Sequence, residues 1–397
     1  MIENKRIIIS ITSYPPRVFN IEKMLDSVFS QSLLPDKVVL YLVESDFINH
    51  EIPCFFEKYY GKGLEIHWCK ENYKVHTKYF FAFQEFPNDL IITLDDDIVY
   101  SDTTVEELVS GYKLYPDCVI ARRGHCILLD ERNKIKPYND WYWLGGGLEG
   151  VAAHSMFATG VGGVLYQARL LNKKIRTNIE FQKVSAYNDD IWLKYIEICS
   201  EYKVVIIKSS LNSDVVDSNE EKFGLNQQNV LNGRNDKQIQ NVFYLPHAFS
   251  AWQKKVLSLL INEKKIYGDL LFNHLKESVN DWFFKVLECE NGYIYIYGAG
   301  VVANRLKRVI DACNMPVHVK GFLVTSIEDN PREIDGIKVF ALDNCIKVRK
   351  TVVIGVSINK QEEIFTLINR KLKQTKLYKL DTDILNAINL LDKLLPK

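Results

Sequence analysis

Short apolar runs rich in β-branched residues alternate with segments of helical period through the first third of this chain. Runs of this kind predict buried strands, and apolar residues that recur every three to four positions predict helices. Alternating strands and helices are typical of a parallel sheet covered by helices, which is the fold class we predict. The predicted strands are 7–11, 38–43, 64–68 and 90–94, and the predicted helices are 21–30, 77–86 and 101–112.

The domain organisation follows from length and pattern. With 397 residues the chain exceeds what one hydrophobic core usually serves, so two domains are expected. Residues 251–290 keep a helical period without strand signals, and a second alternation of strand and helix begins at Tyr293. We predict an α/β domain at 1–248, a helical connector at 249–290 and a smaller α/β domain at 291–397.

Charge and cysteine content exclude several classes of protein. Lys plus Arg equals Asp plus Glu at 50 each, so no net field favours nucleic acid, and we expect no such partner. No apolar run reaches the roughly 18 to 20 residues of a membrane-spanning helix, so membrane contact is expected to be peripheral at most. The eight cysteines stand singly, without CxxC pairs. We predict a cytoplasmic protein, with peripheral attachment at the inner face of the membrane as the alternative.

Three consecutive carboxylates, Asp95, Asp96 and Asp97, follow the predicted strand at 90–94. Ligands of open α/β sheets bind beyond the carboxyl ends of the strands, so this position suits chemistry. Crowded carboxylates are costly unless a cation neutralises them, and oxygen ligands suit Mg²⁺ or Mn²⁺ together with substrate phosphates. The competing interpretation, a helix cap with two solvated acids, accounts for one of the three residues.

The acidic cluster resembles the DxD motif of family 2-like bacterial glycosyltransferases of the GT-A fold, in which a strand-terminal pair of acids holds a metal and a nucleotide diphosphate. The resemblance implies that Asp95 and Asp97 hold Mn²⁺ or Mg²⁺ and that Asp95 and Asp96 lie against the donor. It also implies transfer of a sugar from a nucleotide-diphosphate sugar to a hydroxyl of a glycan or lipid-linked acceptor. Among such donors, a UDP-sugar is expected first. Inversion and a role in capsule or other surface polysaccharide synthesis are part of the same expectation.

The first predicted strand runs into ISITSYPPR, which resembles the loop of these transferases that holds the nucleotide base. The resemblance implies that Tyr14 stacks on the base and Arg17 pairs with phosphate. A rigid proline turn with an exposed Arg17 explains that residue equally well. The candidate nucleotide contacts are Ile11, Thr12, Ser13, Tyr14 and Arg17.

A basic residue precedes the acidic cluster in NYKVHTKYFFAF, which offers Lys74, His76 and Lys78. Many GT-A enzymes are similar in carrying a basic residue on the helix before the DxD strand, and we favour Lys78 as a donor contact. A lysine on a solvated helix face is the alternative.

Glycines are dense in HSMFATGVGGVLY, at Gly160, Gly162 and Gly163. Such density indicates either close approach of the backbone to a ligand or a tight turn. In the transferases that this chain resembles, a similar stretch lines the pocket of the donor sugar and the acceptor, so Gly162 and Gly163 are expected donor contacts. The stretch lacks the setting and lysine of a P-loop, which excludes hydrolysis of nucleoside triphosphates by that motif. The earlier LGGGLEG is a candidate lid.

Two acids begin a predicted helix in SAYNDDIWLKYIEI. Acids are favoured at a helix N-terminus, so capping is one interpretation of Asp189 and Asp190. The pair also resembles the acidic motif of inverting GT-A transferases, whose second acid deprotonates the acceptor hydroxyl. That resemblance implies Asp190 as the general base and Asp189 as second choice. Asp-Asp stands here where the motif has Glu-Asp, so the choice between them remains open.

Histidines and aromatic residues supply further candidates. His247 lies near the place of a late histidine that ligates the metal in several GT-A enzymes; His154 is its rival, and a structural role is the alternative for both. An aromatic and polar group is typical of a carbohydrate platform or of a core cluster. Its members are Asn139, Asp140, Trp141, Tyr142 and Trp143, and the candidates to face a diphosphate are Arg122, Arg123 and His125.

The last part of the chain carries G-x-G-x-x-A in YIYIYGAGVVANRL, at Gly298, Gly300 and Ala303, directly after a predicted strand. The acid expected about twenty residues later is missing, because Glu328 and Asp329 come too late. This part resembles small Rossmann-like domains appended to bacterial capsule enzymes. We expect this part to serve docking, either in a homo-oligomer or in an enzyme complex. Nucleotide binding is the second expectation. The alternatives for the whole chain are a non-catalytic scaffold that binds nucleotide sugar or glycan, and a C-terminal NAD(P)-dependent oxidoreductase or epimerase.

Overall fold

The described residues of the first part of the chain form twelve strands. A computed structural model describes residues 5–143, 148–210, 214–216, 233–287, 292–345, 350–372 and 375–395. The strands are β1 Ile7–Thr12, β2 Lys37–Val43, β3 Leu64–Cys69, β4 Leu90–Thr93, β5 Ile98–Val99, β6 Cys118–Ala121, β7 Gly124–Cys126, β8 Tyr142–Trp143, β9 Met156–Ala158, β10 Val164–Tyr166, β11 Lys203–Ile206 and β12 Val215–Val216.

Seven of these strands form the main sheet, in the order β11-β6-β10-β4-β1-β2-β3. Every neighbouring pair is parallel except those of β10, which runs antiparallel to β4 and β6. Small sheets add β5 with β12, and β7 with β8 and β9. The strands are almost continuously apolar because helices cover both faces of a sheet of this kind.

Helices follow the strands as the pattern predicts. Those of this part are α1 Pro15–Val18, α2 Glu22–Val28, α3 Glu57–Tyr60, α4 Thr77–Glu85, α5 Thr104–Leu114, α6 Lys173–Arg176, α7 Phe181–Val184, α8 Asp189–Cys199 and α9 Arg234–Phe243, followed by α10 Gln253–Leu287. The predicted class, a mixed and mainly parallel sheet flanked by helices, is confirmed.

Side chains alternate between the two faces of the sheet, and each face has its own helices. Ile9 of β1 packs in one core with Leu25 of α2 and Leu108 of α5. Ser10, the next residue, faces α4, where its hydroxyl donates a hydrogen bond to the carbonyl oxygen of Lys78 at 2.5 Å. The first turn of α4 is thereby fixed against the first strand.

The chain divides into two compact units, Met1–Lys265 and Ile266–Lys397, and the division falls within α10. The domain boundaries predicted from sequence stay a prediction. No helix in the described part of the chain is long and apolar enough to cross a membrane.

The second unit has a six-stranded sheet of order β15-β16-β14-β13-β17-β18, parallel except for β15 against β16. Taken in chain order, its parallel strands have the 3-2-1-4-5 arrangement of a doubly wound sheet. Its elements are β13 Tyr293–Tyr297, α11 Val301–Ala312, β14 His318–Val324, β15 Glu333–Ile334, β16 Ile337–Ala341, β17 Thr351–Ile354, α12 Ile358–Lys371, β18 Lys376–Lys379 and α13 Thr382–Leu394.

Candidate active site

The candidate site lies at the edge of the main sheet where its parallel strands end. Ser10 of β1 pairs with Thr93 of β4, so the segments that follow the two strands emerge side by side. Val164, at the start of antiparallel β10, also pairs with Thr93. The strand register therefore brings the loop after β1, the acidic cluster after β4 and the glycines before β10 to one edge.

Arg17 and Ser13 hold two of the three acids. Arg17 Nη1 lies 2.7 Å from Asp96 Oδ1 and 3.1 Å from Asp97 Oδ2. The hydroxyl of Ser13 donates a 2.6 Å hydrogen bond to the other oxygen of Asp96. Burial opposes the charge on Arg17, but Asp96 and Asp97 outweigh it and raise the Arg17 pKa. The interpretation of Arg17 as an exposed residue on a rigid proline turn is therefore wrong.

The remaining residues of the first loop have different surroundings. The side chain of Ile11 is fully buried in the core, and Thr12 donates a hydrogen bond to the carbonyl oxygen of Tyr41 at 3.0 Å. Tyr14 is 38% exposed, with the Arg17 guanidinium 5.8 Å from its ring centre. Of these residues, Tyr14 presents the ring surface that a planar base needs.

Lys78, the second residue of α4, is a buried cation between acids from two other elements. Its ammonium group hydrogen-bonds Asp95 Oδ1, and it lies 3.1 Å from Asp189 Oδ2, within ion-pair distance but without the alignment of a hydrogen bond. Burial disfavours the charged form, yet Asp189 and Asp95 raise the Lys78 pKa well above its usual range. Its side chain is 7% exposed, so the solvated-lysine interpretation is wrong.

Asp189 and Asp190 occupy the first turn of α8 without capping it. The cap is Asn188, whose side-chain oxygen accepts a 3.0 Å hydrogen bond from the backbone N–H of Ile191. Asp190 Oδ1 instead accepts the N–H of Gly160 at 3.0 Å. Burial and then the charge of Asp189 raise the pKa of Asp190 well above its usual range. Asp190 is thus a carboxyl group whose basicity is greater than that of an ordinary aspartate.

Gly160 is the point where these groups converge. A Cβ at this position would lie 3.3 Å from Asp190 Oδ1, 3.4 Å from Lys78 Nζ and 3.6 Å from Asp95 Oδ1. The absence of a side chain leaves room for the acids of two elements to approach one lysine. Gly162 and Gly163 serve the turn into β10: the Gly162 carbonyl accepts from Arg122, and Gly163 has φ +83°. Their predicted donor contacts stay a prediction.

Asp95 and Asp97 are the predicted ligands of a hard divalent cation. Burial and the charge of Asp95 raise the pKa of Asp97 to about 6, so the carboxylates are crowded although Arg17 lies beside them. Carboxylate oxygens are the donors that Mg²⁺ and Mn²⁺ take, with water and phosphate completing the set. Within the described ranges no group of three or more His, Cys, Asp or Glu side chains is arranged to hold a metal. A bound ion would therefore depend on substrate oxygens.

His247 has backbone partners on both ring nitrogens. Nε2 donates to the carbonyl oxygen of Val242 at 2.8 Å, and Nδ1 accepts the N–H of Phe249 at 3.2 Å. Ligation of a metal by His247 stays a prediction that requires one of these bonds to break. His154 lies next to Glu263, which accepts its backbone N–H at 2.9 Å, and burial lowers its pKa.

The aromatic group after β7 is largely core. Trp141 is 4% exposed and its indole N–H donates to the carbonyl oxygen of Lys136 at 2.8 Å. Tyr142 is also buried, and His125 packs beside Tyr138, with burial lowering the His125 pKa to about 3. The core interpretation of Trp141 and Tyr142 therefore holds. The side chain of Trp143 and the lid residues 144–147 lie outside the described residues.

Two site contacts are missing from the sequence prediction. The hydroxyl of Tyr100 accepts the backbone N–H of Asp95 at 2.8 Å, and Thr159 accepts a 3.3 Å hydrogen bond from Arg123. Neither lies in a recognisable motif. The two contacts follow from the fold: β5, which precedes Tyr100, comes directly after the acids, and β9, which precedes Thr159, pairs with β7.

Comparisons with known proteins give remote similarity alone. No protein-family model matches the sequence, and no curated protein matches it. The chain is similar to the mannosyltransferase PcManGT from Pyrobaculum calidifontis in complex with GDP-Man and Mn²⁺, at 13% identity over 69% of this chain and 72% of that chain, with a TM-score of 0.40. It is also similar to S. aureus TarS 1–349, at 11% identity over 69% and 80% of the two chains, with a TM-score of 0.34. The same fragment in complex with UDP-GlcNAc gives 12% identity over 69% and 81%, with a TM-score of 0.35. Family membership does not follow from similarity at this level.

Proposed function

We propose that this protein is a metal-dependent glycosyltransferase that moves a sugar from a nucleotide-diphosphate sugar to an acceptor hydroxyl, with inversion. One observation carries the proposal: Asp95, Lys78 and Asp190 converge around Gly160 at the carboxyl edge of the sheet. The acid that we assign to the metal and a carboxyl group of raised basicity therefore lie close together at the position where Gly160 has no side chain. Such an arrangement suits displacement at a carbon between a leaving diphosphate and an incoming hydroxyl.

The donor side consists of the loop after β1 and the acidic cluster. Asp95 and Asp97 would hold Mn²⁺ or Mg²⁺, which supplies positive charge against the leaving diphosphate. Arg17, now paired with Asp96 and Asp97, adds a guanidinium at the same place. The exposed ring of Tyr14 is available to a nucleotide base. A UDP-sugar is the donor we expect first.

The acceptor side depends on Asp190. A sugar hydroxyl is a weak nucleophile near neutral pH, and a carboxylate with a raised pKa is a better base for its proton. As the hydroxyl oxygen bonds to the anomeric carbon, its proton passes to Asp190. The bond from that carbon to the diphosphate oxygen breaks, and the nucleoside diphosphate leaves with the electron pair. The positive charge of Lys78 compensates the negative charges of Asp189 and Asp95 next to Asp190.

The wider setting belongs to the same proposal. We place the reaction in the cytoplasm, where nucleotide sugars are made, and its acceptor in the synthesis of a surface glycan such as a capsule. The second unit would serve docking or self-association. Its doubly wound sheet is compatible with a bound nucleotide, but the acid that would hold a ribose in an NAD site is missing from the sequence.

Donor screening tests the proposal. The full chain with Mn²⁺ is mixed with UDP-, GDP- and CMP-sugars, and thermal shift and slow donor hydrolysis are measured. We expect one nucleotide class to stabilise the chain only with metal, and the Asp97→Ala variant to lose that stabilisation. The matched control is Asp102→Asn, which removes an exposed acid close in sequence. Unchanged binding of metal and nucleotide to Asp97→Ala would remove the metal assignment, and no response to any sugar nucleotide would remove the function.

A further inference from the structure

Two consecutive arginines after β6 have opposite surroundings. Arg122 is fully buried and saturated: its guanidinium pairs with Glu107 and Asp214 at 2.8 Å each and donates to Ser101 Oγ at 3.0 Å. These bonds join α5, the turn between β5 and α5, and the residue before β12. Arg122 is thus a structural residue, and the candidate role at a diphosphate does not fit it.

Arg123 lacks comparable partners. Its one side-chain hydrogen bond among the described residues goes to the hydroxyl oxygen of Thr159, at 3.3 Å, and in the same part of the chain no carboxylate lies within ion-pair distance. The side chain is partly buried, and burial lowers its pKa. A guanidinium has several N–H donors, and those of Arg123 that Thr159 does not take reach solvent, because none of them is among the buried atoms without a partner. A guanidinium that is partly withdrawn from water and still has donors open to solvent is placed to bind an anion.

The position of Arg123 is fixed by the strand pairing next to the site. The backbone N–H of Thr159 donates to the carbonyl oxygen of Arg123 at 3.1 Å, and β7 pairs with β9 at Gly124 and Ala158. Thr159 immediately precedes Gly160, whose N–H binds Asp190. Arg123 is close enough for the charge of Asp190 to favour its protonated form. The guanidinium of Arg123 therefore lies near the proposed base, beyond ion-pair distance, on the strand edge next to Gly160.

We propose that Arg123 binds an anionic group of the acceptor, a phosphate or a carboxylate, close to the hydroxyl that Asp190 deprotonates. The assignment of this anion to the acceptor rests on the proposed function. The anion site itself rests on Arg123 alone. A planar guanidinium matches the two oxygens of either group. The donor diphosphate is the less suitable ligand, because Arg17 and the metal-binding acids already lie on that side.

Binding of matched sugars tests the anion site. Glucose, glucose 6-phosphate and glucuronate are titrated into the full chain at constant ionic strength, with binding followed by calorimetry and saturation-transfer NMR. We expect at least one charged sugar to bind about tenfold more tightly than glucose, and Arg123→Gln to remove that preference. Arg123→Lys keeps the positive charge but loses the planar guanidinium that can bind two oxygens at once, so an intermediate affinity is expected. Preference for the phosphate or the carboxylate distinguishes the two sources of the anion.

Controls separate this inference from the proposed function. Arg169→Gln removes an exposed guanidinium with the same change of charge and is expected to change nothing. Arg123→Gln should keep its affinity for UDP and Mn²⁺ within about twofold. Equal binding of charged and neutral sugars, or charged-sugar binding that survives Arg123→Gln, would overturn the anion site. Loss of UDP binding in Arg123→Gln would move Arg123 to the donor. Anion binding by a chain that binds no sugar nucleotide would overturn the proposed function and leave an anion site without an acceptor role.

Discussion

Lys78 is the residue on which the electrostatics of the site depend. Its neighbours Asp95 and Asp189 come from different elements, and all three are largely withdrawn from water. Breaking a buried ion pair by removing one partner leaves an uncompensated charge, which costs more than the pair itself contributes. The lysine therefore permits a density of carboxylates that the sheet edge would not otherwise tolerate.

Replacement of Lys78 by Met should destabilise the chain in a pH-dependent way. We expect the free energy of unfolding to fall by about 3 kcal/mol at alkaline pH, because the neighbouring acids lose their cation. The loss should shrink in acid, where these carboxyl groups become neutral. Urea unfolding across the pH range measures it, with the exposed Lys113→Met as the control. A loss independent of pH would indicate a packing defect instead.

The charged form of Asp190, which the proposed function uses as the base, is unfavourable in the folded chain. Because its pKa is higher in the folded chain than in the unfolded chain, the folded state holds the proton more tightly and loses stability as pH rises through that folded pKa. Asp190→Asn should therefore be more stable than the parent, by about 1 kcal/mol or more near pH 9, and no more stable in acid. Donor transfer should be lost in the same variant. In the parent, transfer should rise with pH as the base loses its proton.

The same measurements exclude a purely structural Asp190. Asp102→Asn serves as the matched control for unfolding and for transfer, because Asp102 is exposed. If Asp190→Asn transferred sugar at the parental rate, the general base would have to be another group, and Asp189 would be the next candidate.

At the scale of elements, His76 links the two helices that carry the site. Its ring donates from Nε2 to the carbonyl oxygen of Ser185 at 2.7 Å, accepts from the hydroxyl of Tyr79 at 3.0 Å and stacks on Phe181 at 4.2 Å. Ser185 precedes α8, and His76 precedes α4 directly. The link holds the helix of Lys78 against the start of the helix of Asp190.

This link should fail in acid. Burial lowers the pKa of His76 to about 3, so the unfolded chain takes up a proton on this residue that the folded chain refuses. Stability should fall as pH drops below the ordinary histidine value, by about 2 kcal/mol between about pH 6.5 and 5. His76→Gln should flatten this part of the stability curve, whereas His50→Gln, at an exposed position, should not. An unchanged slope in His76→Gln would show that other groups cause the acid sensitivity.

The sequence predicted the elements better than their arrangement. Apolar periodicity located β1 to β4 and α2, α4 and α5 to within a few residues, because these segments bury continuous or one-sided apolar surface. It could not indicate that β10 enters the sheet antiparallel between β4 and β6, since strand direction depends on distant partners. The convergence at Gly160 follows from that insertion. The pairing of Arg17 with Asp96 likewise depends on the register of β1 and β4, which no local pattern encodes.

At the scale of the whole molecule, each compact unit has a hydrophobic core of its own. Arg122 belongs to the first unit, where Glu107 and Asp214 depend on its charge. Gly355 belongs to the second, where a Cβ would lie 2.7 Å from Ile296 Cγ2 and 3.2 Å from Ala303 Cα. A substitution at either position should therefore be felt within one unit.

Calorimetry of the full chain should resolve two unfolding transitions. Arg122→Met should lower one of them strongly, by an amount that corresponds to about 3 kcal/mol, because two partly buried acids lose their buried partner. Gly355→Val should lower the other through steric overlap with Ile296 and with the backbone of α11 at Ala303. A single transition that moves with both variants would contradict two separately cooperative units.

The amide of Asn188, not either neighbouring acid, starts α8. A substitution at 189 or 190 therefore leaves the cap of α8 in place. The two acids can be varied one at a time while the helix that presents them keeps its start.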